Sequence, residues 1–187
     1  MSEIQVNTIN EYTGANGVNI DSFQIKDGGI LAATGVPLQV VIYSDIITAN
    51  NIITSTSYTD IEQSSGTKLE IKITPKQSDS KILLIGAAQT YHEFAGSVAQ
   101  VKALRDISGG TSDTQVSQYR FRDENEPNNF NTNSPKPYNF VDTPGTTSEV
   151  TYHFQAKLDS TSAEFSWVAA DTTNGNSQTF VLWEIGV

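Results

Sequence analysis

Cysteine is absent from this 187-residue chain, so disulfides, thiolate metal sites and cysteine nucleophiles are excluded together. Basic residues are few. Eleven Lys and Arg face 21 Asp and Glu, a net charge of −10, and the cations are scattered. A nucleic-acid interface needs a cationic stripe to neutralise phosphates, and none is visible. An acidic chain is also repelled by anionic membrane surfaces. Long apolar runs are missing too: Ile82-Leu83-Leu84-Ile85 is far shorter than a membrane span, so no insertion is expected. The opening Met1-Ser2-Glu3-Ile4 has neither the basic region nor the apolar core of a secretion signal. The expectation is a soluble protein made in the cytoplasm that reaches any outside location by another route.

What is present favours strands. Thr, Ile, Val, Ser and Asn are abundant, hydrophobic residues make up 37% and charged residues only 17%, so the surface is polar through amides and hydroxyls. Residues 1–35 differ from the rest. Ile4-x-Val6-x-x-Ile9 returns as Val18-x-Ile20-x-x-Phe23, with Ile25 continuing the alternation. Gly14-Ala15-Asn16-Gly17 between the copies is a tight-turn signal, and Lys26-Asp27-Gly28-Gly29 is a second break. Two such short strands cannot bury an apolar side alone. The simplest partners are the same segments of sister chains. Residues 1–35 are therefore read as a short β-stem for self-association.

Residues 36–187 read as one domain. Leu38 to Ile47, Ile53 to Ile61, Leu69 to Ile73, Val98 to Leu104 and Val116 to Phe121 carry strand patterns, with Pro75 closing the third. Lys81 to Gln89 is nearly continuously apolar and reads as a strand buried on both faces. Val150, Tyr152, Phe154 and Ala156 share one face, with Thr151, His153, Gln155 and Lys157 on the other. Phe165, Trp167 and Ala169 form the next face, and Phe180, Leu182 and Glu184 the last. Eight or nine strands separated by turn clusters, such as Ser108-Gly109-Gly110 and Asn174-Gly175-Asn176, predict an all-β fold, an antiparallel β-sandwich of jelly-roll type. A helix near Val98 to Arg105 competes with alternation there. Asp123 to Pro137, rich in Asn, Pro and acids, reads as a long loop.

Chemistry is sparse. His92-Glu93 begins like a zinc-protease helix but has no second histidine at the required spacing, and His153 falls on a polar strand face, where it is expected to be solvated. No Gly-x-Ser-x-Gly elbow and no phosphate-binding glycine loop is present. Asp123, Glu124 and Glu126 lie near aromatics but read as a solvated loop, and their spacing is not that of a calcium loop. No catalytic, cofactor-binding or metal-binding residue is assigned, and the chain is not expected to be an enzyme. Aromatic rings beside amides suit sugar stacking and hydroxyl hydrogen bonds. Asn128, Asn129, Phe130 and Tyr138 are therefore the candidate contacts for a glycan or protein surface. The competing reading has Phe130 and Tyr138 pinning the loop to the sandwich.

The run Ser2-Glu3-Ile4-Gln5-Val6-Asn7-Thr8-Ile9-Asn10-Glu11-Tyr12-Thr13, then Gly17-Val18-Asn19-Ile20-Asp21 and Ile25-Lys26-Asp27-Gly28-Gly29, resembles the opening of short tail-fibre and spike proteins of tailed bacteriophages, notably marine and cyanobacterial ones. Ile73-Thr74-Pro75-Lys76 through Ser80-Lys81-Ile82-Leu83 is similar to a strand–turn–strand of their heads, and Phe180-Val181-Leu182-Trp183-Glu184-Ile185 to their final strand. The matches touch about half of the chain. The resemblance implies a homotrimeric virion protein, with Ile4, Val6, Ile9, Val18, Ile20, Phe23 and Ile25 in the trimer and attachment stem. Its head, residues 36–187, would face the host surface or another virion protein. A capsid-decorating fibre or cement protein is the alternative. A glycan depolymerase is a third reading, which the short chain disfavours because such enzymes build β-helices from many repeats.

Overall fold

The computed structural model describes residues 18–20, 23–26, 30–32, 35–93, 97–122, 132–169 and 178–187. Strands β1 (Val18–Ile20), β2 (Phe23–Lys26) and β3 (Ile30–Ala32) form a three-stranded antiparallel sheet. Its register sets Val18 opposite Ile25 and Ile20 opposite Phe23, while Asn19 meets Gln24. Lys26 ends β2, and the rest of the expected break, Asp27-Gly28-Gly29, lies outside the described residues. Ile4, Val6, Ile9 and the Gly14–Gly17 turn lie outside the described residues.

From Pro37 the strands are β4 (Pro37–Ser44), β5 (Asn51–Ile53), β6 (Thr59–Asp60), β7 (Glu62–Ser64), β8 (Thr67–Lys68), β9 (Ile71–Ile73) and β10 (Lys81–Glu93). β11 (Val98–Ile107), β12 (Thr114–Arg122), β13 (Thr132–Asp142), β14 (Val150–Leu158), β15 (Glu164–Trp167) and β16 (Thr179–Ile185) follow. All are antiparallel to their partners, and the described residues contain no helix. Proline heads β4, where a strand loses no ladder hydrogen bond to it.

Two sheets make the sandwich. The first is built on β10, which pairs along one edge with β13 and along the other with β16 and then β15. β4 adds beyond β16 and β5 beyond β15. The second is built on β14, flanked by β11 and then β12 on one side and by β9 and β6 on the other. β7 and β8 form a separate ribbon. Between the sheets, alternation places Val150, Tyr152, Phe154 and Ala156 of β14 against Ile82, Leu84, Phe165, Trp167, Phe180 and Leu182. Aromatic rings fill the centre: Tyr138 stacks on Trp167 at 4.6 Å, and Phe154 meets Trp167 edge-on at 5.3 Å. Gly86 lies on β10 beneath the Phe180 ring, which a Cβ there would overlap, so only glycine lets the strand pass.

The strand read over Val98 to Leu104 holds against the competing helix: it is hydrogen-bonded between β12 and β14. Other expectations change. The supposed loop ends early: residues 132–137 already belong to β13, paired with β10. Lys81 to Gln89 is not buried on both faces. Ile82, Leu84 and Ala88 are buried but Ile85 is 46% exposed, because no second layer among the described residues covers that side of the sheet.

Two core phenols have consequences for pH dependence. Burial, then the neighbouring Tyr119, pushes Tyr138 well above the ordinary tyrosine range. Burial, then the charge and hydrogen bond of Asp142, does the same for Tyr152. In the unfolded chain both ionise near the usual pKa of about 10, so above that pH the unfolded state binds fewer protons. Stability is expected to be intact below about pH 10 and to fall above it by about 1.4 kcal/mol per pH unit for each ring. Urea midpoints at about pH 9 and 11 check this; equal midpoints would mean that the phenols ionise in place.

Candidate functional site

The outward side of the first sheet presents apolar rows that follow from register. Val40, Trp183, Leu83 and Val141 stand side by side across β4, β16, β10 and β13, and the next row is Ile42, Val181, Ile85 and Asn139. A third row, Ser44, Thr179, Ala87 and Pro137, follows. None of these twelve side chains is charged. Val40, Ile42 and Val141 are 43%, 64% and 59% exposed. Single exposed apolar residues are ordinary, whereas contiguous ones mark contact surfaces.

The residues singled out by sequence do not converge on such a surface. Tyr138 is a correction: it is fully buried in the core, against Trp167, Phe154, Phe121 and Tyr119, and cannot touch a ligand. Strand pairing turned it inward as part of β13. Asn128, Asn129, Phe130, Asp123, Glu124 and Glu126 lie outside the described residues. Val18, Ile20, Phe23 and Ile25 occupy facing register positions on β1 and β2.

His153 is the second correction. It lies on the outward side of β14, as its position predicts, yet it is 0% exposed. The β11–β12 hairpin closes over it. Ile107 N–H bonds Thr111 O, Ser108 N–H bonds Glu149 O, and Gly109 takes a positive φ of 73° that tightens the turn. This brings Asp106 Oδ2 and Asp113 Oδ1 each to 3.4 Å from His153 Nε2. Asp106 Oδ1 accepts the Asp113 N–H at 2.6 Å. On the other side of the ring Asp60 Oδ1 lies 4.0 Å from Nδ1 and accepts from Gln155 Nε2 at 2.7 Å. Neither imidazole nitrogen has a hydrogen-bond partner. The sequence carried no signal of this cluster, because its members come from separate strands and turns, and no short motif joins them.

Buried charge elsewhere is structural. Arg105 Nη1 bonds both Asp142 oxygens at 2.7 and 2.8 Å, and Tyr152 Oη donates to Asp142 at 2.9 Å, joining the two sheets. Glu184, fully buried, accepts from Lys76 N, Gln77 N, Ser80 Oγ and Gln39 Nε2.

No protein-family profile matches the sequence, and no curated protein matches it. Solved structures similar to it include the VP2 subviral particle of infectious bursal disease virus, at 12% identity and a TM-score of 0.41, covering 86% of this chain and 41% of that one. The structure of the Gt strain of the same virus gives 12% identity and a TM-score of 0.38, with 86% and 41% coverage. The T13 viral particle gives 11% and 0.37, with 91% and 43%. The chain thus spans less than half the length of these structures.

Proposed function

We propose that this chain is a non-enzymatic structural protein of a virion, a homotrimeric fibre or spike of a tailed phage. In this reading residues 1–35 attach it to the particle, and the sandwich contacts the host surface or a neighbouring virion protein. The observation that carries the proposal is the apolar patch of Val40, Ile42, Trp183, Val181, Leu83, Ile85 and Val141 on the outward side of the β4–β16–β10–β13 sheet. Copies of a chain with a net charge of −10 repel one another over most of their surface, and they approach best through a face without charge. Three heads turning this face toward a common axis bury it, and the stem joins the same axis. The resemblance of residues 2–29 to phage fibre openings supports the assignment to a virion.

Sedimentation equilibrium of the full chain at micromolar concentration is expected to give three times the 20.3 kDa chain mass. Replacing Ile42 and Ile85 with Asp should weaken association by about 2 kcal/mol or more, since each apolar side chain buried contributes about 1.5–3 kcal/mol. A stable wild-type monomer overturns the trimer. Immunogold labelling of particles places the protein on the tail under this proposal; labelling of the capsid instead supports the decorating alternative.

A further inference from the structure

Asp106, Asp113 and His153 form a cluster that this assembly reading does not use. We propose that it binds one divalent first-row metal ion, of which Zn²⁺ is the representative, through His153 Nε2, Asp106 Oδ2 and Asp113 Oδ1. The three donor atoms lie within 4.8 Å of one another.

The buried, unpartnered imidazole is the starting observation. A ring enclosed with both nitrogens unsatisfied is costly, and here Nε2 is aimed between two carboxylates. If Nε2 carries only its lone pair, it is repelled by both oxygens unless a cation lies between them. A proton on Nε2, in the neutral or the charged ring, would donate to one or both oxygens, whereas a metal would take all three donors. An imidazolium N–H donating to a carboxylate draws the heavy atoms to about 2.7–2.9 Å. Two donors bound tetrahedrally to an ion at about 2.0–2.1 Å stand about 3.3–3.4 Å apart. Both observed separations are 3.4 Å.

Charge and surroundings agree. Two carboxylates with a neutral imidazole balance a dication. Asp106 is oriented by the Asp113 amide on its other oxygen. Asp60, held by Gln155, lies 4.0 Å from Nδ1, beyond hydrogen-bond reach, and adds negative charge behind the ring that favours a bound cation. An imidazole among the donors argues against Ca²⁺ and Mg²⁺, which prefer oxygen alone. The ion would tie the β11–β12 hairpin to β14, a cross-link in a chain without disulfides.

Isothermal titration of the full chain with Zn²⁺ alone is expected to show one site per chain. Asp113 sits at the exposed rim, so Asp113→Asn should keep the wild-type melting temperature in chelator while losing Zn²⁺ affinity at least about tenfold. His92→Ala should leave binding unchanged, and ¹⁵N spectra should show the His153 Nε2 resonance shifting with Zn²⁺. Absence of binding below millimolar Zn²⁺, equal affinity of Asp113→Asn and wild type, or an imidazolium at His153 unmoved by the metal would each overturn the proposal.

Discussion

Replacing Asp142 with Ala is expected to lower stability by about 3–5 kcal/mol, because it strands the Arg105 guanidinium between the sheets. The side chains of Arg105 and Asp142 are only 14% and 10% exposed, so water cannot substitute for the lost carboxylate. One guanidinium nitrogen bonds both Asp142 oxygens, and the Tyr152 hydroxyl donates to one of them. Removing Asp142 thus leaves a buried cation and a buried donor unpaired. A fall in the urea midpoint at constant m-value measures the effect. The double change Arg105→Met with Asp142→Leu should recover most of the loss, since deleting both charges removes the desolvation penalty as well as the attraction. A loss under about 1 kcal/mol in the single variant would show that Arg105 reaches solvent.

Glu184→Ala is expected to cost a similar amount, about 3–5 kcal/mol, by a different route. Glu184 Oε1 accepts from Lys76 N at 2.7 Å, Gln77 N at 3.0 Å and Ser80 Oγ at 2.7 Å, while Oε2 accepts from Gln39 Nε2 at 2.6 Å. Hydrogen bonds to a charged acceptor contribute about 1.5–3 kcal/mol each, and they are not additive within one network. The carboxylate ties the β9–β10 connection, which crosses between the sheets, to the final strand. Glu184→Gln should recover only part of the loss, because its amide nitrogen meets donors rather than acceptors. Hydrogen exchange gives a local check. The Lys76 and Gln77 amides should exchange much faster in Glu184→Ala, and unchanged protection there would contradict the assigned role.

Both residues show where sequence reading stops. Glu184 was placed on the same face as Phe180 and Leu182, and alternation is enough to predict that. It does not predict that four donors from two other segments converge on the carboxylate. Arg105 and Asp142 gave no signal at all, since their contact depends on β11 and β13 lying in opposite sheets.

The strand character of the chain, seven of its eight longer strands from Pro37 onward (all but β13) and the inward set Val150, Tyr152, Phe154 and Ala156 were legible in sequence. Side-chain alternation is a local property of an extended backbone and survives without knowing any partner. Register, layering and closure were decided by the tertiary structure. Pairing with β10 drew residues 132–137 out of a supposed loop and turned Tyr138 into the core. The uncovered side of the same sheet left Ile85 facing outward in a run that reads as wholly buried. The hairpin between β11 and β12 closed over His153 and gathered acids from distant positions around it. Each of these outcomes rests on contacts between segments far apart in the chain, and local pattern carries no information about which distant segment a strand will meet.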